Sequence, residues 1–182
     1  VGAYRLWTLG IALSAAAALI CPGTLVQAAS KTGRETHRLK GHDGTIRALT
    51  FASAGKRLLS GSNDGTVRLW DSQSGDLLKV LDGHDGGVRS IAVSGDGRRV
   101  AVGSYDAVIR IWNLPKSQLV RELHGHREWI SSMVFSPDGK SLVSGTQDGE
   151  LFIWNLRTGK RAKRLKGHKG SVSHLTFNRK GN

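Results

Sequence analysis

Cysteine and proline are nearly absent from this sequence. Cys21 is the only cysteine among 182 residues, and three prolines stand against 24 glycines. Many glycines and few prolines favour tight turns between short elements rather than long helices. Hydrophobic residues make up 38% of the chain and are spread along it, so low-complexity disorder is not expected.

The longest apolar run lies in the first thirty residues. LWTLGIALSAAAALI at 6–20 follows Arg5, and Val26-Gln27-Ala28 fits the small-residue pattern of signal-peptidase sites. We therefore predict a signal peptide at 1–28, a linker at 29–35, and a secreted or periplasmic protein. The alternative is that residues 6–29 remain as an N-terminal hydrophobic helix that anchors the chain in a membrane. Cleavage after Ala28 would remove the thiol, which excludes disulfides and cysteine catalysis.

Acidic residues are scarce relative to basic ones. The chain has 14 acidic and 27 basic residues, a formal net charge of +13, which can attract acidic or phosphate-bearing partners at long range. Most basic residues alternate along predicted strands, as on a solvated outer face. The densest run contains Lys160, Arg161, Lys163, Arg164, Lys166 and Lys169. No aromatic residue interleaves with it, as single-strand binding would require, so the run favours solvated surface over a dedicated anion site.

A 42-residue repeat organises the rest of the chain. Gly-His pairs fall at 41/42, 83/84, 125/126 and 167/168, and Trp70, Trp112 and Trp154 keep the same step. Within the first unit, alternating apolar residues predict strands at 45–51, 57–62, 66–71 and 77–82, separated by turn residues. Four short antiparallel strands in each unit are typical of one propeller blade.

The unit resembles the WD-repeat β-propeller family, through Gly-His, Ser-Gly-Ser-Asn-Asp-Gly at 60–65 and the Trp-Asp pair at 70–71. The resemblance covers 36–182, with repeats at about 36–77, 78–119 and 120–161 and a partial one at 162–182. It implies an all-β partial propeller of about three four-stranded antiparallel blades plus one strand. Segment 36–40 would be the outer strand of another blade, and 171–178 the inner strand of a fourth. Because propellers usually close with four to eight blades, we expect a fragment of a longer protein or, alternatively, association of identical chains.

Each unit also carries histidine, serine and aspartate at fixed spacing, the residue types of a nucleophilic triad. An active site is needed once, whereas this set recurs, so we expect no catalytic residue. The resemblance implies a structural tetrad instead, in which tryptophan donates to serine, serine bonds to histidine and histidine donates to aspartate. The expected members are His42, Ser60, Asp64 and Trp70; His84, Asp106 and Trp112; and His126, Ser144, Asp148 and Trp154.

The second unit lacks the serine, because Val102 stands at that position. Trp112 would lose its acceptor and His84 one of its partners, unless another group compensates. The sequence therefore predicts that this unit is locally the weakest and that Val102→Ser raises the melting temperature.

No motif for a metal or a cofactor is found. The histidines recur at 42-residue intervals rather than at metal-ligand spacing. The glycine-rich turns are not followed by helices, as phosphate loops would be. We therefore predict neither a metal nor a cofactor.

The resemblance implies that partner contacts concentrate on the face that carries the loops before the inner strands. The matching positions are Thr45, Arg47, Asn63, Gly87, Arg89, Tyr105, Trp129, Ser131 and Gln147. Trp129 lies outside the repeat pattern, so it is either a binding hot spot or a packing contact with the next blade.

The predicted function is a non-catalytic, exported scaffold that binds a protein or peptide on this face, and an acidic partner is one candidate. A first alternative is a sensor or regulatory region of a larger enzyme or receptor. A second is a polyanion-binding module that uses the basic surface. Export argues against nucleic acid, and membrane contact is expected only if residues 6–29 remain as an anchor.

Overall fold

The computed structural model describes residues 26–29 and 35–178, and these residues form β-strands joined by turns. A two-stranded pair comes first, β1 (Val26–Ala29) and β2 (Glu35–Leu39). Three sheets follow along the chain. They consist of β3 (Ile46–Ala52), β4 (Arg57–Ser62), β5 (Val67–Asp71) and β6 (Leu77–Leu81); β7 (Val88–Val93), β8 (Arg99–Ser104), β9 (Ile109–Asn113) and β10 (Gln118–Leu123); and β11 (Ile130–Phe135), β12 (Ser141–Thr146), β13 (Leu151–Asn155) and β14 (Lys160–Leu165). A 3-10 turn at Ser53–Gly55 joins β3 to β4.

Each sheet is a four-stranded antiparallel meander, so the predicted partial propeller is confirmed. The four strands expected in the first unit appear within one residue of their predicted bounds. The strands β6, β10 and β14, which precede a Gly-His pair, complete the sheet of the preceding blade, as the resemblance implies. The inner strand β7 lies between β3 and β11.

The predicted N-terminal helix and most of the predicted signal peptide lie outside the described residues. Residues 26–29 form β1, which pairs with β2 in the register Val26 to Leu39. The predicted cleavage point after Ala28 therefore falls within a paired strand. In the described part of the chain, no helix is long and apolar enough to cross a bilayer.

Residues 171–178 do not form the predicted inner strand of a fourth blade. Val172 nevertheless packs against the third blade: its N–H donates to the Thr146 carbonyl over 3.0 Å, and its side chain is buried. A regular strand needs a ladder of hydrogen bonds along its length, and no described strand pairs with this segment.

The hydrophobic core lies between the blades rather than within one of them. One cluster joins the first two sheets and includes Leu59, Val88 and Trp112. A second joins the last two sheets and includes Ile109, Ile130 and Trp154, and a third packs Leu39 of β2 on Trp70. Each blade is therefore stabilised by its neighbours, as in other repeat proteins.

Two strand arginines do not lie on the solvated outer face that was expected for most basic residues. Arg110 is buried and forms ion pairs with Asp106 over 2.7 Å and Glu122 over 3.0 Å. Arg68, one repeat earlier, is half-buried against Gly41. The carboxylates of Asp106 and of Glu122, which lies on the outer strand β10, compensate the burial of the Arg110 charge.

Candidate functional site

The tetrad of the first blade forms in full. The His42 ring donates from Nδ1 to Asp64 Oδ2 over 2.7 Å, and its Nε2 accepts from the Ser60 hydroxyl over 2.7 Å. Ser60 Oγ accepts from Trp70 Nε1 over 2.8 Å. The chain of bonds ties the loop before β3 to strands β4 and β5, and each buried polar group has a partner.

Asp64 is the anionic end of this tetrad. Burial raises its pKa, but the hydrogen bonds donated by Thr66 and His42 outweigh burial and lower the pKa to about 2. The carboxylate therefore stays ionised and holds the Nδ1 proton of His42 in place. It also accepts the Asp43 backbone N–H over 3.1 Å, which secures the loop itself.

The second blade replaces the tetrad with a shorter network. Trp112 Nε1 donates directly to His84 Nε2 over 3.2 Å, and His84 Nδ1 donates to the Gly65 carbonyl over 3.1 Å. Asp106 does not bond to His84, contrary to prediction, because Arg110 and Ser104 occupy its carboxylate. The reason for expecting this blade to be the weakest is therefore absent, because both rings have hydrogen-bond partners.

Val102→Ser is now expected to lower stability rather than raise it. Val102 has no exposed surface and packs in the cluster between the first two sheets. Serine would remove apolar burial and add a hydroxyl beside rings that are already paired, a loss of about 1–2 kcal/mol in the free energy of unfolding. Urea titration measures this loss, and a midpoint above that of the parent chain would show that the serine completes a tetrad after all.

In the third blade Glu150 takes the place expected for Asp148. The bonds among histidine, serine and tryptophan are present, since His126 Nε2 bonds to Ser144 over 2.6 Å and Trp154 donates to Ser144 over 2.8 Å. His126 Nδ1 faces Glu150 Oε2 at 3.6 Å, while Asp148 accepts from Thr146 instead. Glu150 also pairs with Arg164 over 2.8 Å. Glu150 stands at the repeat position that Thr66 holds in the first unit, and this difference was the signal in the sequence for the change of partner.

The burial of His126 predicts that the stability of the chain is sensitive to mild acid. Burial lowers its pKa to about 4, below the ordinary value of 6.5, and burial lowers the pKa of His84 as well. The unfolded chain therefore binds protons that the folded chain does not, so stability is complete above pH 6.5 and falls as the pH drops towards 4.

We expect a loss on the order of 2 kcal/mol over that interval. Urea unfolding at successive pH values measures it, and His126→Gln should flatten the slope. His168→Gln, at an exposed position, is the matched control and should retain the slope. A flat profile in the parent chain would contradict the prediction.

The histidine and serine sets cannot work as nucleophilic triads in these positions. Ser60 and Ser144 have no exposed surface, and each hydroxyl oxygen accepts a tryptophan N–H. A nucleophile must reach a substrate, so these residues serve the connection between strands. The described residues hold no group of histidine, cysteine and carboxylate side chains that could bind a metal ion.

A groove lies at the end of the blades where the inner strands begin, and we call it the Trp129 groove. It is an open depression of about 750 Å³. The residues that line it are Arg47, Asn63, Gly86, Arg89, Tyr105, Trp129 and Gln147. Six of these residues were predicted from the sequence, and Gly86 was not, although the neighbouring Gly87 was.

Three predicted contact residues, Thr45, Gly87 and Ser131, do not line the groove. Ser131 is buried, and its hydroxyl donates to the carbonyls of Gly145 and Val172 over 3.0 and 2.7 Å. Thr45 lies beside the groove and its carbonyl accepts the Asn63 N–H over 2.9 Å. Ser131 occupies the repeat position of Arg47 and Arg89, but its short side chain is satisfied by nearby backbone.

Aromatic residues mark one junction between blades. The rings of Tyr105 and Trp129 lie with centroids 5.1 Å apart, tilted by 54°. Trp129 nevertheless remains 40% exposed. Trp129 therefore packs on the preceding blade, not on the next one as the packing interpretation had it, and the rest of its side chain faces the groove. Its role as a binding hot spot stays a prediction.

The other junctions carry small or polar residues at the same repeat positions. Gly87 stands opposite Asn63, and an added Cβ would lie 2.8 Å from the Asn63 Cα, so only glycine fits there. At the next junction, Ser171 donates to Gln147 over 3.1 Å. The Tyr105–Trp129 pair thus breaks the repeat symmetry at a single junction of the described blades.

The basic run on and after β14 is exposed, as predicted for solvated surface. The guanidinium of Arg161 lies over the Phe152 ring at 4.5 Å, and Arg164 pairs with Glu150. These two arginines therefore have contacts within the blade.

A family model matches three segments of this chain, one for each of the three sheets. The family model described as "WD domain, G-beta repeat" matches residues 33–71, 75–113 and 117–155. These three segments end at the Trp-Asp or Trp-Asn pairs of the three sheets.

Curated relatives share short stretches with this chain. The nuclear distribution protein nudF of Aspergillus terreus is 51% identical over 49 residues, which is 26% of this chain and 11% of that protein. The periodic tryptophan protein 2 homolog of Schizosaccharomyces pombe is 38% identical over 72 residues, 36% of this chain and 8% of that protein. The ribosome biogenesis protein BOP1 homolog of Oryza sativa is 42% identical over 41 residues, 22% of this chain and 6% of that protein. The matched part of this chain thus spans about a tenth or less of these relatives.

A solved structure of U3-55K has the same fold. It superposes with a TM-score of 0.71 at 27% sequence identity, over 75% of this chain and 43% of that chain. The similarity therefore extends to most of the described blades.

Proposed function

Because this chain belongs to the WD-repeat family, we propose that its blades form a rigid interaction scaffold that binds a protein or peptide partner in the Trp129 groove. WD-repeat domains are generally non-catalytic, and they typically bind protein partners. We assign no catalytic role to the repeated histidine and serine residues, because the hydroxyl groups of Ser60 and Ser144 are buried.

The observation that carries this proposal is the aromatic pair at one junction, in which Trp129 is exposed and Tyr105 is half-buried. Tyr105 and Trp129 present an apolar surface that is already ordered by the contact between their tilted rings. An aromatic surface held in place loses little side-chain entropy on binding, which is why such residues dominate binding energy at interfaces. The loops that form the groove connect strands of the three four-stranded sheets.

Selection of peptides from a random displayed library against the whole chain tests the proposal. We expect selected peptides to lose binding by about tenfold or more in Trp129→Ala. Phe51→Ala is the matched control, because Phe51 is 54% exposed on β3 but lies at the opposite end of that strand from Arg47. A library that yields no binder, or binders that ignore Trp129→Ala, would overturn the proposal.

Export to a secreted or periplasmic location is a further part of the proposal. The apolar run at 6–20 and the small residues before position 29 support it. Cleavage after Ala28 would remove three of the four residues of β1 and leave β2 without its paired strand. Mass spectrometry of the exported chain distinguishes cleavage from an anchor retained at 6–29, and a chain found only inside the cell would contradict both.

A further inference from the structure

The Trp129 groove contains two guanidinium groups that no carboxylate neutralises. Arg47 and Arg89 both line it, and no acidic residue does. Among the described residues, neither arginine has an acidic side chain within ion-pair distance. This differs from Arg38, Arg110 and Arg164, each of which pairs with a carboxylate.

The acidic residues of the neighbouring loops do not compensate this charge. Asp64 is held by His42 and Thr66, and Asp106 by Arg110 and Ser104. Asp85 and Glu128 belong to the same loops but do not line the groove. The groove is therefore a cationic depression on a chain whose formal net charge is +13.

The two arginines are placed by the backbone of the inner strands. The register of β3 against β4 shifts between Ile46 and Ala48, and the register of β7 against β8 shifts between Val88 and Ser90. Arg47 and Arg89 are the extra residues at these bulges, which turn a side chain away from the regular face of the strand. The Asn63 amide oxygen accepts from Arg47 Nε over 3.3 Å, which orients that guanidinium without neutralising it.

We propose that the partner of the Trp129 groove is an acidic peptide segment, with carboxylates that pair with Arg47 and Arg89 and an apolar side chain that packs on Trp129. This inference rests on the proposed function, because it names the chemistry of the partner for the same groove. Planar guanidinium groups bind carboxylates through two parallel hydrogen bonds. The aromatic pair beside them supplies the apolar contact that purely electrostatic binding would lack.

Fluorescence anisotropy with labelled synthetic peptides of equal length tests the inference. One peptide carries glutamates around a leucine, and the others replace the glutamates by glutamine, lysine or phosphoserine. We expect the whole chain to bind the glutamate peptide at least about tenfold more tightly than the glutamine peptide. The preference should weaken with added salt, since the groove is open to solvent.

Arginine variants assign the preference to the groove. Arg89→Ala should weaken the glutamate peptide by about tenfold, and Arg89→Glu should shift the preference towards the lysine peptide. Arg157→Ala is the matched control: it removes the same charge from an exposed turn after β13, at the opposite end of the blades. Urea midpoints of all variants show that each chain remains folded.

The outcomes separate this inference from the proposed function. If peptides bind in a Trp129-dependent manner but without preference for glutamate, the acidic partner is overturned and the scaffold stands. Binding of the phosphoserine peptide alone, or an equal loss in Arg157→Ala, would also overturn it. If none of the labelled synthetic peptides and no peptide from the displayed library binds, both proposals fail.

Discussion

Alanine in place of Gly103 is expected to lower the free energy of unfolding by about 3 kcal/mol, at the upper end of the cost of overpacking a core. Gly103 lies in β8, at the junction with the third blade. An added Cβ would lie 2.6 Å from both the Ile130 Cβ and the Ser90 Oγ. Ser90 donates to the Ile130 carbonyl over 2.6 Å, so neither neighbour can move without loss of that bond.

The loss should appear as a lower urea midpoint with an unchanged slope. Gly170→Ala is the matched control, since Gly170 has no positive φ and no neighbouring atom within 4 Å of an added Cβ. Gly145→Ala should reproduce the effect, because its Cβ would lie 2.6 Å from the Val172 Cβ. A Gly103→Ala chain as stable as the parent would show that the blades are not packed this closely.

Ser60→Ala should destabilise the chain by about 2–3 kcal/mol. The substitution leaves two buried groups without a partner, the Trp70 indole N–H and His42 Nε2, and each buried polar group left unpaired costs about 1–3 kcal/mol. Alanine has nearly the volume of serine, so the loss reports hydrogen bonding rather than packing. Chemical unfolding of the whole chain measures it.

Ser173→Ala serves as the control, since Ser173 is exposed. A surface substitution of this kind is expected to change the free energy of unfolding by less than about 0.5 kcal/mol. If Ser60→Ala and Ser173→Ala had the same small effect, the tetrad would contribute nothing to stability.

The first blade was largely predictable because its residues match the family pattern at every position of the network. His42, Ser60, Asp64 and Trp70 lie where the resemblance places them. The networks of the other two blades were not predictable in detail, because in each blade a residue outside the tetrad changes the contacts of the histidine or the aspartate. Arg110 draws Asp106 away from His84, and Glu150 approaches His126 in place of Asp148.

The groove was partly predictable for a similar reason. Repeat positions identified Arg47, Arg89, Tyr105 and Trp129 as neighbours on one face, and the structure brings them together. The burial of Ser131 was missed because equivalent backbone positions do not give equivalent exposure. A long arginine at a bulge extends into the groove, whereas a serine hydroxyl at the same bulge stays within reach of backbone carbonyls.

The sequence by itself determined the number of described blades and the strand bounds of the first blade, because strand period and repeat spacing are properties of the chain alone. The family resemblance carried by its motifs added the tetrad of the first blade. Only the tertiary structure decided the partners of His84 and His126, the burial of Arg110 and the charge of the Trp129 groove. These features depend on which side chains from different blades meet, and hydrogen bonds and ion pairs form over about 3 Å whatever the separation along the chain.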